Sequence, residues 1–177
     1  METDMTGECE TKTVREAIDQ MARSRGDDVF LISPETAKTL TFGELQEQSK
    51  AISTRLRQAG LSTGDKAAFL LDNGLFTIQL FLGTMYSGVV SVPLNVRAGL
   101  SQLAYTLDHC DAKAVFVEEQ YLALASEALA SVNRPVQLIT VGAEAFATDY
   151  SQPLGDVSFA APSPEDVSLL MYTSGSV

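Results

Sequence analysis

The stretch Ala67-Ala68-Phe69-Leu70-Leu71-Asp72-Asn73-Gly74-Leu75, running on through an apolar segment to Ser87-Gly88-Val89-Val90-Ser91-Val92-Pro93, decides the fold. A short apolar run, a tight Asp-Asn-Gly loop, a helix-length apolar segment and a second apolar run read as strand, loop, buried helix and strand. The alternation continues downstream as a helix over 101–109, a strand over 113–117, a helix over 118–132 and a strand over 136–141. Strands separated by helix-length segments imply βαβ units and a parallel sheet. Parallel strands are covered on both faces and so are uniformly apolar, as Ala114-Val115-Phe116-Val117 and Leu138-Ile139-Thr140-Val141 nearly are. The expected class is α/β, a largely parallel sheet with helices on both faces.

Upstream of this block the pattern is amphipathic. Thr13 with Glu16, and Thr41 with Glu44, have the spacing of helix capping boxes. Val14, Ile18 and Met21 then mark one helix ending near Gly26, and Leu45, Ile52 and Leu56 mark another that stops at Gly60, the expected glycine C-cap. Between them Val29-Phe30-Leu31-Ile32 and Lys38-Thr39-Leu40-Thr41 flank a turn containing Pro34 and read as a small hairpin. Residues 1–12 are expected as a disordered acidic tail, 13–142 as the α/β subdomain and 143–165 as a connector holding Pro153, Gly155, Pro162 and Pro164. Asp166-Val167-Ser168-Leu169-Leu170-Met171-Tyr172 is expected as one more strand, leading into Thr173-Ser174-Gly175-Ser176-Val177.

Charge and composition exclude several functions. Twelve Lys and Arg against 23 Asp and Glu give a net charge of −11, the wrong sign for holding nucleic acid or an anionic membrane. Residues 73–96 lack any charge, but Thr77, Gln79, Thr84, Ser87, Gly88, Ser91 and Pro93 break them into a helix and a strand rather than a membrane span. The start Met1-Glu2-Thr3-Asp4 lacks a basic n-region, so a cytoplasmic location is expected. The two cysteines, Cys9 and Cys110, read as free thiols. His109 is the one histidine; adjacent to Cys110 it makes no spaced metal cluster, and it reads as a helix C-terminal residue favoured by the dipole. Glu118 and Glu119 read as helix N-terminal charges.

A hydroxyl- and glycine-rich loop after a strand is a recurrent phosphate cradle, because glycine admits close backbone approach and successive N–H groups converge on an anion. Thr173, Ser174, Gly175 and Ser176 are therefore candidate phosphate ligands, although no Walker A pattern can be drawn through them. On their own they also fit a flexible polar C-terminus.

Five ordered segments resemble the N-terminal part of the acyl-adenylating superfamily, which includes acyl-CoA synthetases, peptide-synthetase adenylation domains and luciferases. Leu40-Thr41-Phe42-Gly43-Glu44-Leu45 is similar to its "LTYxEL" segment, and Gly64-Asp65-Lys66 with the strand that follows to its "GDxVai" strand. Ser87-Gly88-Val89-Val90-Ser91-Val92-Pro93-Leu94-Asn95 is similar to "kaGavvvPln". Leu103-Ala104-Tyr105-Thr106-Leu107 with Ala112-Lys113-Ala114-Val115-Phe116-Val117 is similar to "eLayqL…akvlv", and Tyr172-Thr173-Ser174-Gly175-Ser176 to the opening of "YTSGSTGxPKG".

The resemblance, closest to acyl-CoA synthetases, implies a parent ligase that uses ATP and Mg to turn a carboxylic acid into an acyl-adenylate and passes the acyl group to CoA or another thiol. It assigns ATP-phosphate binding to Thr173, Ser174, Gly175 and Ser176. It also offers Arg97 as a CoA-phosphate contact, against the plainer reading of an exposed solvated arginine. Val177 stands where the family has threonine, and the family's glycine and lysine do not follow. The 177 residues alone are therefore expected to be a fragment incompetent for adenylation, with self-association or a complementing C-terminal part expected as partner. The alternative is a non-catalytic nucleotide-binding or subunit-interaction module.

Overall fold

The computed structural model describes residues 13–142 and 160–173. The tail over 1–12, most of the connector, and Ser174, Gly175 and Ser176 lie outside the described residues. Helix α1 (Val14–Arg25) is followed by strands β1 (Val29–Ile32) and β2 (Thr39–Thr41), then by helix α2 (Phe42–Gln58). Next come β3 (Lys66–Leu70), α3 (Leu75–Ser87), β4 (Val90–Pro93), α4 (Leu100–His109), β5 (Ala112–Glu118), α5 (Leu122–Leu129) and β6 (Gln137–Val141). Strands β1 and β2 form the antiparallel hairpin. The other four form an all-parallel sheet in the order β4-β3-β5-β6.

The helix boundaries follow from their caps. Thr13 and Thr41 both close full capping boxes, the hydroxyl accepting from the N–H of Glu16 or Glu44 while that glutamate accepts from the threonine N–H. At the end of α2 the cap is Ala59, and Gly60 is the left-handed residue beyond it, at φ +79°. Gly60 N–H donates to Arg57 O and Leu61 N–H to Leu56 O, so the glycine serves a Schellman turn one position past the observed cap. Helix α3 closes in the same way through Gly88 at φ +76°.

Helices cover the sheet on both faces. On one, Ile52 and Leu56 of α2 and Phe76 and Leu80 of α3 pack against Ala67, Phe69, Ala114 and Phe116. On the other, Leu103 and Leu107 of α4 and Ala125 and Ala128 of α5 pack against Ala68, Leu70, Val92, Val115 and Val117. Alternate residues of one strand thus feed opposite cores. Helix α1 and the hairpin add a third cluster around Ile18, Leu40, Leu45 and Tyr86.

Two expected elements differ. The helix placed over 118–132 is shorter: Glu118 closes β5, Glu119–Tyr121 form a 3-10 turn and α5 occupies only Leu122–Leu129. The side chains of Gln120 and Tyr121 both donate to Asp72 across the sheet edge, which holds this turn apart from the helix. Glu118 is therefore a strand-terminal residue, not a helix N-terminal charge. The strand placed over 166–172 is a single parallel bridge, Leu169 with Ser91 of β4. Ser91 N–H donates to Ser168 O and Leu170 N–H to Ser91 O, both at 2.9 Å. A turn at 163–166 precedes that contact and Tyr172 turns onto His109 after it, so the segment stays alongside β4 for one pair only.

A hydroxyl seam joins α2, α3 and β4. Ser53 Oγ and Ser87 Oγ lie 2.6 Å apart, Thr84 Oγ1 and Ser91 Oγ 2.5 Å apart, and Ser87 also donates to Gly83 O. A Cβ on Gly83 would stand 2.5–2.9 Å from three atoms of Ile52, including its own Cβ. Alanine gains about 1 kcal/mol of helix propensity over glycine, but overpacking costs about 1–3 kcal/mol and Ile52 cannot retreat through its Cβ. Gly83→Ala is therefore expected to lower stability by roughly 1–2 kcal/mol, read from the midpoint of urea unfolding at unchanged slope.

Candidate functional site

Ligands of open parallel sheets sit beyond the C-terminal ends of the strands, at the point where successive connections leave on opposite faces. Here α3 leaves β3 on one face, while α4 and α5 lie on the other, which puts that point at the ends of β3 and β5. Three turns converge there: Leu71-Asp72-Asn73-Gly74 after β3, 94–99 after β4, and the 3-10 turn after β5. Between them lies a cleft of about 480 Å³ lined by Leu71, Asp72, Asn73, Leu94, Asn95, Val96, Arg97 and Tyr121. A neighbouring depression of about 500 Å³ is lined by Glu118, Glu119, Gln120, Val141 and Gly142.

Asp72 organises this edge. Its carboxylate accepts from Tyr121 Oη at 2.6 Å and from Gln120 Nε2 at 2.8 Å, and its carbonyl accepts from Thr77 Oγ1 at 2.5 Å. Gln120 Nε2 also donates to Glu118 Oε2 at 2.8 Å. The hydrogen bond to Asp72 pushes the Tyr121 phenol above the ordinary tyrosine range, with burial and the carboxylate charges adding to it and Arg97 opposing. Arg97 is exposed at the cleft rim, in a turn fixed by its N–H donating to Asn95 Oδ1 at 2.9 Å. The cleft thus has mixed charge, one guanidinium beside one carboxylate.

The loop residues lie elsewhere. Thr173 is exposed, and it follows Tyr172, whose hydroxyl meets His109 Nδ1 at 2.7 Å in the last turn of α4. Arg97 precedes the first turn of that ten-residue helix, so about 15 Å of helix separates the two anchor points. Among the described contacts none joins Thr173 to Arg97. Cys110, directly after His109, is buried, and burial pushes its thiol above the usual range.

The described residues do not by themselves fit a magnesium-nucleotide site. Among them no group of three or more His, Cys, Asp or Glu could hold a metal ion. A polyphosphate in the cleft would meet Asp72 as well as Arg97. Sequence reasoning missed the Asp72–Tyr121–Gln120 set, because the partners lie 48 and 49 positions away and only strand order brings them together. It also missed the bond between His109 and Tyr172.

A family model for the AMP-binding enzyme matches residues 18–177, which takes in the cleft, the bridge to β4 and every motif segment quoted above. The chain belongs to the AMP-binding enzyme family. Among relatives of this family, a sulfoacetate–CoA ligase from Cupriavidus necator is 33% identical over 151 residues, 84% of this chain and 30% of that protein. The chain thus spans about a third of the length of the ligases it matches. A long-chain-fatty-acid–CoA ligase from Archaeoglobus fulgidus shares the fold at a TM-score of 0.81 and 20% identity, over 93% of this chain and 35% of that one. The anthranilate CoA ligase AuaEII, solved in complex with anthranoyl-AMP, does so at 0.79 and 19%, over 93% and 32%. Among the described residues no helix is long and apolar enough to cross a membrane.

Because the Tyr121 phenol is held neutral by Asp72, its contribution to stability is present below pH 10 and is lost as pH rises through its raised folded value. Alkaline difference spectra against Tyr121→Phe are expected to show this tyrosine ionising above the ordinary range. Asp72→Asn should move the transition down.

Proposed function

We propose that the chain is the leading α/β part of an ATP-dependent ligase that converts a carboxylic acid into an acyl-adenylate and transfers the acyl group to CoA. The observation that carries this reading is the family match over residues 18–177, with the motif segments in order and the parallel sheet they encode. In such a ligase ATP supplies the adenylyl group and a pyrophosphate leaving group, and magnesium offsets the phosphate charge. Within this chain Thr173 offers an exposed hydroxyl toward phosphate, with Ser174, Gly175 and Ser176 following it. Arg97, exposed above the strand ends, is the counter-charge for the CoA phosphates.

The acid itself is not written in this part of the fold. The similar proteins are named for sulfoacetate, anthranilate and long-chain fatty acids, yet the same scaffold underlies all three. Because the chain spans about a third of its relatives, most of the groups that act on an acid belong to the other two thirds of such a ligase.

Two outcomes follow. The 177 residues alone are expected to release no carboxylate-dependent pyrophosphate, whereas the same residues replacing the matching third of a related CoA ligase should support it. A folded chimera that forms no hydroxamate from the host ligase's own acid overturns the reading. In an active chimera, Arg97→Ala is expected to raise the KM for CoA about three- to tenfold, the range of an exposed charge-assisted hydrogen bond. ATP–pyrophosphate exchange should be unchanged, and an unmoved CoA KM removes Arg97 from the site.

A further inference from the structure

Asn73 and Gly74 are both exposed in the turn that leads from β3 into α3, and Asn73 lines the cleft together with Arg97. Among the described residues the Asn73 side chain makes no hydrogen bond, and the Gly74 N–H has no acceptor. Gly74 is the N-cap of α3, extended at φ 177° and ψ 177° and without a side-chain cap bond. No heavy atom lies within 4 Å of where a Cβ on Gly74 would stand. An unrestrained side-chain amide therefore precedes an unhindered backbone nitrogen.

The comparable groups of the chain are held differently. Asp72, one position earlier, has its carboxylate bonded by Tyr121 and Gln120. Asn95 accepts from the Arg97 N–H and is followed by the branched Val96. Asn133, the remaining asparagine, is followed by Arg134, whose guanidinium is fastened to Leu107 O and Ala112 O. Asn73 alone combines a free amide with a glycine next in the chain.

From this geometry we infer that Asn73 is a site of spontaneous deamidation, which places a new carboxylate in the cleft beside Arg97. The Gly74 nitrogen gives its proton to hydroxide and attacks Asn73 Cγ, and the new N–C bond closes a succinimide ring as the Cγ–Nδ2 bond breaks. The side-chain nitrogen takes a proton from water and leaves as ammonia. Water then opens the ring at either carbonyl, giving aspartate or isoaspartate. The N-terminus of the 13-residue α3 favours both the anionic nitrogen and the carboxylate that follows. The product joins Asp72 in the cleft lining, so Arg97 gains a second acidic neighbour there. Its effect on CoA rests on the reading of Arg97 as the CoA counter-charge; the modification itself does not.

Incubation of the 177-residue chain at mildly alkaline pH tests the site, read by peptide mass spectrometry and by methyl transfer to isoaspartate. The peptide holding Asn73 is expected to convert to acid faster than those holding Asn95 and Asn133. Gly74→Ala, whose Cβ meets open space, should fold normally yet convert about tenfold more slowly, because the side chain crowds the attack and restricts the backbone. An Asn73 that stays an amide, or converts no faster than Asn95 and Asn133, overturns the site. A Gly74→Ala that converts at the wild-type rate overturns the cyclic route. In an active chimera, Asn73→Asp is expected to raise the KM for CoA about threefold, the size of an exposed charge effect, with ATP–pyrophosphate exchange unchanged. An unmoved CoA KM in Asn73→Asp, where Arg97→Ala does raise it, overturns the effect on the cleft. If Arg97→Ala is equally silent, the CoA reading fails, and the mass measurement still decides the modification.

Discussion

A parallel strand has no solvent face, and β3 is the strand on which this constraint falls hardest. It lies between β4 and β5, and Ala67, Ala68, Phe69 and Leu70 are all 3% exposed or less. Every backbone group in it must be paired by the two neighbouring ladders, because an unpaired buried N–H or C=O costs about as much as a lost hydrogen bond. Both faces must be covered, which calls for one helix layer of α2 and α3 and another of α4 and α5. Two alanines in β3 let those layers come close. The glycine at 83 and the paired hydroxyls of Ser53, Ser87, Thr84 and Ser91 extend the same close approach into the helices. Position at the strand ends is inherited from this packing.

What could be read from the sequence is what local physics fixes. The capping boxes at Thr13 and Thr41 are decided within four residues, and both helices start where the boxes place them. The apolar runs that become β3, β4 and β5 shift by only one residue from their expected bounds, because burial on two faces leaves few alternatives. The failures are places where a distant partner wins. Asp72 draws Gln120 and Tyr121 out of a helix that their own sequence would extend. His109 draws Tyr172 off β4 and ends the pairing at a single bridge. Neither partner is visible in the residues it acts on.

The candidate site divides along the same line. Thr173 and Arg97 could be named as candidates because hydroxyl-rich loops and arginines have recognisable chemistry wherever they occur. That they sit toward opposite ends of α4, and that Asp72 rather than a second cation lines the cleft with Arg97, depends on connection and strand order. His109 was read as a helix C-terminal residue and is one, in the last turn of α4. Its dipole role and its hydrogen bond to Tyr172 use the same position, and sequence carried only the first.

Charge sets the remaining step. A polyanion resting on a chain of net charge −11 would need local cations where its phosphates lie. The strand-end surface gives Arg97, then Asp72 with Glu118 and Glu119 in the adjoining depression, so the described edge is net acidic. The donors to Asp72, Tyr121 and Gln120, carry no positive charge. A triphosphate held here would be repelled more than attracted. The described strand ends therefore act as scaffold and rim.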